Sequence, residues 1–355
     1  MNAALVLALL APTAEPVPDA RATVERGLEW LVKQQKDDGS WDGGQGQTAT
    51  MATARAGLAL LMQGSTTSSG KYAPNLRKAV EWFEAIAQAD GLLVGKDRPV
   101  SGNLTYMHSQ ALVFLVSAAD AESDPVRAQS LTARVEKSVK FLLDNQSARG
   151  GWGESVELVR TGRDDAFNTG EALAALFAAR KAGFAVPRRA TDRGLAYLAA
   201  ATNADGSISY DPRFTGTRPS RGGSPDVTVS AAAFALASGD QRPTELRAWV
   251  RSARAELGAF EGNLAVSNYY NLQQTLGYAR VARALGESGH ERLDPAATGT
   301  RLVWSVERAR LFKVVSKLQL LDGSWADQYG SPVYATALAL GILQLDSGYV
   351  PAFTP

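Results

Sequence analysis

Two kinds of helical pattern alternate along the 355-residue chain. The first kind is amphipathic, as where Val24, Leu28 and Leu31 recur on one face and charged residues occupy the other. The second kind is apolar on nearly all sides, as in the segments TARAGLALLM, TGEALAALFAA and YATALALGILQL. An amphipathic helix buries one face, whereas a helix that is apolar all round is buried on every side. The pattern therefore predicts half-exposed helices that alternate with buried ones.

A short motif, Gln-x-x-x-Gly-x-Trp, follows three of the amphipathic stretches with identical spacing. Its copies are Gln35, Gly39 and Trp41; Gln146, Gly150 and Trp152; and Gln319, Gly323 and Trp325. Weaker copies surround Gly91, Gly206 and Gly258. Glycine allows a helix to end and turn, the Gln amide can bond carbonyls freed in the last turn, and Trp can cover the junction with its N–H near solvent. We therefore interpret the motif as structural.

Six pairs of one half-exposed and one buried helix predict a closed ring, since a closed ring needs no polar end repeats. The fold class is all-α, an (α/α)6 toroid with an inner and an outer ring of helices. We expect the toroid to occupy residues 20–345, with a C-terminal tail at 346–355. Long loops at 211–225 and 286–300 are where function or disorder is expected to collect.

The first nineteen residues begin with the apolar run MNAALVLALLAP, which is too short to span a bilayer. The small residues and prolines after it favour a secretory signal peptide, and hence export to the periplasm or beyond. No Lys or Arg precedes the run, so an N-terminal extension packed on a cytoplasmic protein is the alternative. No later segment is long and apolar enough for a transmembrane helix.

The composition excludes several classes of partner and site. Lysine plus arginine (37) nearly cancels aspartate plus glutamate (36), so no global field attracts nucleic acid or anionic lipid. The absence of cysteine removes disulfides, cysteine-zinc sites and thiolate nucleophiles, and two histidines argue against a multi-histidine metal site. We predict no metal and no cofactor.

The segment from Gln35 to Trp41 reads Gln-x-x-Asp-Gly-Ser-Trp. With its helix-pair context, it resembles the repeat of the squalene cyclase and protein prenyltransferase β-subunit superfamily. The likeness covers Ala20 to about Leu345, and the chain looks most like the compact, single-ring, often exported bacterial members of that superfamily. The resemblance implies an α/α toroid and an apolar, isoprenoid-like ligand.

The chemistries of that superfamily fit this sequence poorly. Protein prenyltransferases hold zinc with Asp, Cys and His, and complement-type toroids use a Cys–Gln thioester, so the lack of cysteine excludes both. Class II terpene cyclases use Asp-x-Asp-Asp-Thr, whose middle Asp protonates an alkene, and no Asp-x-Asp-Asp occurs here. Alignment on Thr169 puts Phe167 at the donor position, whereas alignment on Thr228 puts Asp226 there without its flanking acids. Asp226 is therefore the candidate catalytic acid, or a helix cap.

Four further residues are candidates for ligand binding. His108 and Tyr270 lie near the starts of buried helices, and Asp165 directly precedes another. Glu171 lies within an apolar helix, where an unpaired charge is costly unless it faces a wet cavity or an arginine. If the ring closes, the starts of the inner helices bring His108, Asp165, Asp226 and Tyr270 toward one concavity. The alternative is that these residues cap helices or bond to the backbone.

These observations support two classes of function. The leading hypothesis is a binding protein that takes a hydrophobic, isoprenoid-like ligand or a protein partner in or at the rim of the toroid. The alternative is an enzyme, either an atypical class II terpene cyclase using Asp226 or a carbohydrate-active toroid using acidic pairs such as Asp164 and Asp165. An aromatic-lined cavity would favour the cyclase, and a cleft with two carboxylates would favour the carbohydrate enzyme. A lumen filled by side chains would favour a scaffold.

Overall fold

A computed structural model describes residues 20–44, 48–95, 103–214, 225–237, 243–260, 269–287, 303–347 and 350. For 214, 225–229, 237, 243, 253–260 and 269–270 only the helical backbone is described. The predicted signal peptide and most of both long loops lie outside these ranges. Within them the chain is helical, with isolated β-bridges in place of strands, and no helix combines the length and apolar character that a bilayer crossing requires.

Six helices in the described ranges form the inner ring. They are α2 (Ala49–Met62), α4 (Leu104–Asp120), α7 (Ala166–Lys181), α9 (Pro225–Ala237), α11 (Tyr269–Leu285) and α13 (Pro332–Leu343). Each packs on the next, and α13 packs back on α2, so the ring is closed. Alanine and leucine dominate these helices, and nearly every described side chain of α2, α4 and α13 is buried.

Six further helices of the described ranges cover the inner ring from outside. They are α1 (Arg21–Lys33), α3 (Ala73–Ile86), α5 (Pro125–Asp144), α8 (Arg188–Ala200), α10 (Pro243–Phe260) and α12 (Trp304–Lys317). A short helix α6 (Val156–Arg160) and two 3-10 turns, Pro212–Phe214 and Leu345–Ser347, complete the described elements. The outer helices bury one stripe against the inner ring, so the predicted all-α toroid of inner and outer helices is confirmed.

Side-chain caps set where several helices begin. The side chains of Thr48, Asn103, Asp124 and Asp165 accept a hydrogen bond from a backbone N–H in the first turn of α2, α4, α5 and α7. Each cap satisfies a donor that has no partner inside the helix. Three of the four caps precede inner helices, so they set the residues at which these helices of the inner ring begin.

The three copies of the Gln-x-x-x-Gly-x-Trp motif join the outer helices α1, α5 and α12 to their neighbours. In the first copy, Nε2 of Gln35 donates to the carbonyls of Gly39 and Asn75, both at 2.9 Å, which ties the turn to the start of α3. The indole Nε1 of Trp41 donates to the Leu31 carbonyl at 2.7 Å. Gln146 and Trp152 repeat these bonds, as do Gln319 and Trp325.

The roles of Gln and Trp differ from the expected ones. The indole N–H was expected near solvent, but Trp41 is fully buried and its N–H is the group that bonds a carbonyl of the last helical turn. The backbone N–H of Trp41 donates to Oγ1 of Thr53 on α2 at 2.9 Å. One tryptophan therefore links an outer helix to an inner one, and the glutamine links that outer helix to the next.

The weaker copies divide into two groups. Gly91 and Gly206 have positive φ and lie against the backbone of the next outer helix, as the strong copies do. The prediction of a motif copy at Gly258 is wrong, because α10 continues through this residue to Phe260. The residues around it are good helix formers, and a single internal glycine costs only about 1 kcal/mol relative to alanine.

Candidate functional site

A small polar cavity lies in the lumen, where side chains from four inner helices meet. Its volume is about 20 Å³, room for one or two water molecules, and it is partly open to solvent. The lining comes from α2, α7, α9 and α11, namely Arg55, Glu171, Ser230, Gln273, Gln274, Leu276, Gly277 and Arg280. Charged and hydrogen-bonding groups dominate this lining, so it suits a polar group better than a hydrocarbon.

Glu171 supplies a carboxylate to this lining from α7. Only 7% of its surface is exposed, and the amide Nε2 of Gln110 donates to its Oε2. Burial raises the pKa of Glu171, whereas the charges of Arg55 and Arg280 and hydrogen bonds from Gln110 and Ser230 act in the opposite direction. The sequence left open whether Glu171 faces a cavity or an arginine, and in the structure it lines a cavity together with two arginines.

Two guanidinium groups share the cavity with Glu171. Burial and the charge of Arg55 lower the pKa of Arg280 to about 10, and Glu171 acts against this shift. Arg55 is 8% exposed, and its Nε is buried with no hydrogen-bond partner among the described residues. Two guanidinium groups facing one carboxylate give the described lining a positive charge near neutral pH.

Two buried tyrosines meet beside Arg55. The hydroxyls of Tyr106 on α4 and Tyr334 on α13 are 2.8 Å apart, and both side chains are buried. Burial raises the pKa of both phenols, and that of Tyr106 well above its usual value. Both phenols are therefore protonated near neutral pH, and they bond the rim of α4 to that of α13.

His108 lies behind the lumen, against the outer ring. Its Nδ1 accepts from the Leu93 N–H at 3.0 Å, and its Nε2 donates to the Ser138 carbonyl of α5 at 3.1 Å. The side chain is fully buried, and its ring packs on that of Phe141 with centroids 4.8 Å apart. Burial lowers the pKa of His108 to about 4, so the imidazole is neutral at physiological pH.

Asp165 caps α7 and forms part of a second polar cluster. The backbone N–H and the side-chain amide of Asn168 donate to its two carboxylate oxygens, each at 2.8 Å. Burial raises the pKa of Asp165 to about 6 despite these bonds, and the charge of Glu154 adds to the increase. The hydroxyl of Tyr210 donates to Oε1 of Glu154 at 3.3 Å and also bonds Asp165. Asp164 instead pairs with Arg149, and its carboxylate is fully buried.

The predicted concavity is described only in part. His108 and Asp165 do not meet, since His108 bonds to α5 and Asp165 caps α7. Asp226 and Tyr270 are the second residues of α9 and α11, and their side chains lie outside the described residues. Across the described ranges, no three carboxylate or imidazole side chains gather as a metal site would require.

Sequence relatives agree with this architecture. A family model of the squalene-hopene cyclase C-terminal domain matches residues 115–222, from α4 through α8. Lanosterol synthase from Homo sapiens is 29% identical over 135 residues, which make up 38% of this chain. The matched region spans only 18% of that enzyme's length.

These matches support the predicted resemblance to the squalene cyclase/prenyltransferase-like superfamily. Among solved structures, the type II terpene cyclase MstE from Scytonema has a TM-score of 0.54 at 14% identity, covering 93% of this chain and 98% of that one. A GH76 α-mannanase from Bacteroides thetaiotaomicron has a TM-score of 0.58 at 10% identity, with 93% and 96% covered. At these identities the likeness shows a shared fold.

The donor position of the superfamily's cyclases is occupied by an aromatic ring in the alignment on Thr169. Phe167 holds that position, and its ring lies 5.0 Å from that of Tyr106, centroid to centroid. Thr169 itself accepts from the Trp152 N–H at 2.9 Å, so it anchors the repeat motif. At this position of α7, a side chain that packs therefore stands where the cyclases have a catalytic acid.

Sequence reasoning missed Arg55 and Arg280 as lumen residues. The signal was present, because each is a charged residue within an otherwise apolar or uncharged stretch, TARAGLALLM and NLQQTLGYAR. The same signal singled out Glu171. Applied to every inner helix, it would have identified all three charged residues of the cavity lining.

Proposed function

We propose that the protein is a ligand-binding member of the squalene cyclase/prenyltransferase-like superfamily that holds a small molecule in its lumen without cyclase chemistry. The observation that carries this proposal is the polar cavity formed by Arg55, Glu171 and Arg280 from three inner helices. A concavity with a few convergent polar groups is the usual form of a small-molecule site. Rigid helices hold each of these groups, so the site needs little ordering when a ligand binds.

The chemistry of the cavity favours a ligand with a polar end group. An isoprenoid-like chain, which the resemblance alone implies, would fit only if it carried such a group and extended out of the cavity. A protein partner at the rim stays a prediction, as does a cyclase that uses Asp226. Against the cyclase, the charges of Arg55 and Arg280 favour the ionised form of the Glu171 carboxyl and oppose the effect of its burial, whereas protonation of an alkene needs a carboxylic acid that gives up its proton.

Native mass spectrometry of the protein purified from its own host tests ligand binding. We expect a non-covalent mass excess that disappears in Ser230→Met, because the longer side chain fills the cavity beside Ser230. Ser130→Met is the matched control, since Ser130 is an exposed serine on outer helix α5, and it should retain the excess. A clean apo mass for the native chain, or equal loss in both variants, would contradict lumen binding.

A carbohydrate-active enzyme is the second candidate, and the cluster around Asp165 favours it. Its carboxyl has a pKa raised to about 6 by burial, while Glu154 beside it is exposed and shares the Tyr210 hydroxyl. Glycoside hydrolysis uses one such protonated carboxyl as an acid and a second as a base or nucleophile. The fold likeness to the mannanase, and to an α-amylase from Clostridium perfringens with a TM-score of 0.57, agrees with this candidate without establishing it.

Hydrolysis of α-mannan and starch tests this second candidate. Measurable release of reducing sugar should fall by about a hundredfold or more in Asp165→Asn and in Glu154→Gln, because each removes a group that moves a proton. Asp205→Asn changes an exposed turn carboxylate and should leave the rate unchanged. Inactivity on both glycans, or activity that survives both substitutions, would remove the candidate.

A further inference from the structure

A groove on the outside of the ring lies between the outer helices α3 and α5. Its volume is about 160 Å³, and it is partly open to solvent. A cavity of about 150 Å³ accepts a molecule the size of benzene, so this outer groove has room for about six or seven non-hydrogen atoms. Every residue that lines it has a described side chain, so the contacts and charges of the lining are known in full.

Aliphatic side chains form the floor of the outer groove. Val80 of α3 and Leu131 of α5 line it and are otherwise buried. Val126, near the start of α5, also lines the groove, but 76% of its surface is exposed. A hydrocarbon chain lying in the groove would remove apolar surface of Val126 from water, which is favourable.

Two carboxylates of α3 border the same groove. Glu81 and Glu84 are three residues apart, so they lie on one face of the helix with Cβ atoms roughly 5–6 Å apart. The Ser130 hydroxyl donates to Oε1 of Glu84 at 2.9 Å. Glu81 is exposed, and among the described residues it has neither a hydrogen bond nor an ion pair. Both carboxylates can therefore accept hydrogen bonds from a ligand.

The two arginines of the outer groove are engaged at its other end. Nη1 of Arg77 donates to the Thr67 carbonyl at 3.0 Å, and Nε of Arg127 donates to Oε2 of Glu122 at 3.1 Å. On each helix the arginine lies nearer the start than the carboxylates of α3 or the serine of α5. The whole lining carries three carboxylates and two guanidinium groups. It is therefore negative, and its accessible negative charge lies at one end.

We propose that the outer groove binds a small aliphatic amine, with the protonated amino group between Glu81 and Glu84 and the hydrocarbon chain along the aliphatic floor. An alkylammonium group has three N–H donors to share between two carboxylates. A diamine of the same length would bring its second charge to the arginines, so the groove favours a monoamine. The site lies outside the ring and is independent of ligand binding in the lumen.

The native chain tests the proposal with a set of six-carbon probes. Saturation-transfer NMR titrations at pH 7 should show that hexylamine binds, and that hexanol, which has the chain without the charge, binds several-fold more weakly. Hexanoate should not bind, and hexamethylenediamine should bind more weakly than hexylamine. Raising the ionic strength from about 0.01 M to about 0.15 M should weaken hexylamine binding, because salt screens exposed charges. Absence of hexylamine binding, or equal affinities for hexylamine and hexanol, would overturn the proposal.

Carboxylate variants locate the amino group. Glu81→Gln and Glu84→Gln should each weaken hexylamine binding several-fold, and both together about tenfold or more, while hexanol binding stays unchanged. Glu136→Gln is the matched control, since Glu136 is an exposed glutamate of α5 that does not line the groove. Unchanged hexylamine affinity in the variant with both substitutions, or an equal loss in Glu136→Gln, would contradict the assignment. Circular dichroism checks folding, and Glu81→Gln removes no contact of the fold.

A third pair of variants locates the hydrocarbon chain. Val126→Asn should weaken binding of hexylamine and hexanol alike, because it replaces apolar surface of the floor with an amide. Val306→Asn changes an exposed valine of α12 and should have no effect. Ser230→Met, which fills the lumen cavity, should also leave hexylamine binding unchanged. A loss in Ser230→Met would place the amine in the lumen, and full affinity in Val126→Asn would mean that the floor does not hold the chain; either result overturns the outer groove as the site.

Discussion

Replacement of Gly39 by alanine is expected to lower the free energy of unfolding by about 3 kcal/mol or more. Gly39 has a φ of +91°, and a Cβ built there would lie 2.2 Å from the carbonyl oxygen of Lys78 on α3. The left-handed conformation alone costs an L-residue about 1–2 kcal/mol. The oxygen belongs to a helix backbone and cannot rotate away, so the turn must move off α3 and weaken the bonds of Gln35.

Gly183→Ala is the matched control for this prediction. Gly183 has a φ of +88°, but a Cβ there would meet nothing within 4 Å. It should therefore show only the conformational cost of about 1–2 kcal/mol. Urea unfolding followed by circular dichroism measures both variants. Equal losses at Gly39 and Gly183 would mean that the close approach of the turn to α3 contributes nothing to stability.

A close approach of the same kind, between a motif glycine and the backbone of an outer helix, also closes the ring. Gly150 lies against the Arg193 carbonyl of α8, and Gly323 lies against the Arg26 carbonyl of α1. The last motif of the chain thus docks on the first outer helix, so the two ends of the fold are joined by the interaction that joins successive repeats. Substitution at Gly323 should therefore loosen the contact between α1 and the turn that follows α12, which is where the last motif meets the first outer helix.

The ring could be predicted because the same alternation of amphipathic and apolar helices recurs along the chain. Hydrophobic periodicity distinguishes a helix with one buried face from a helix that is buried on all sides, and this distinction assigns the outer and inner positions. Gly258 shows where prediction from the repeated motif fails. Glycine marks a turn only where the backbone needs a positive φ or a close approach, and the sequence around Gly258 supplies enough helix formers to continue α10.

The contents of the lumen could be predicted only in part. Periodicity does not tell which face of an all-apolar helix points toward the centre and which toward the outer ring. His108 and Glu171 both interrupt apolar inner helices, yet His108 bonds to the outer helix α5 and Glu171 lines the cavity. That difference depends on the rotation of each helix about its axis, which packing against both neighbours determines.

Acidification should destabilise the protein through His108. Its pKa is about 4 in the folded protein, because burial disfavours the imidazolium, and about 6.5 when the chain is unfolded. Asp90 is the charged group that opposes the shift, and Leu93 and Ser138 supply the neutral bonds. Between these two pKa values the unfolded chain binds the proton more readily, so stability is fully present above about pH 6.5 and is lost as the pH falls toward 4.

His108→Gln isolates this contribution from the other titrating groups. The glutamine amide offers an acceptor for the Leu93 N–H and a donor for the Ser138 carbonyl, but it does not bind a proton in this range. Between about pH 7.5 and pH 5, we expect the native chain to lose about 2 kcal/mol more of its free energy of unfolding than the variant does. Urea unfolding at both pH values measures the difference, and the other carboxyl groups cancel because both proteins contain them. Parallel pH profiles would show that His108 takes up its proton in the folded protein as readily as in the unfolded chain, which its burial between α4 and α5 should prevent.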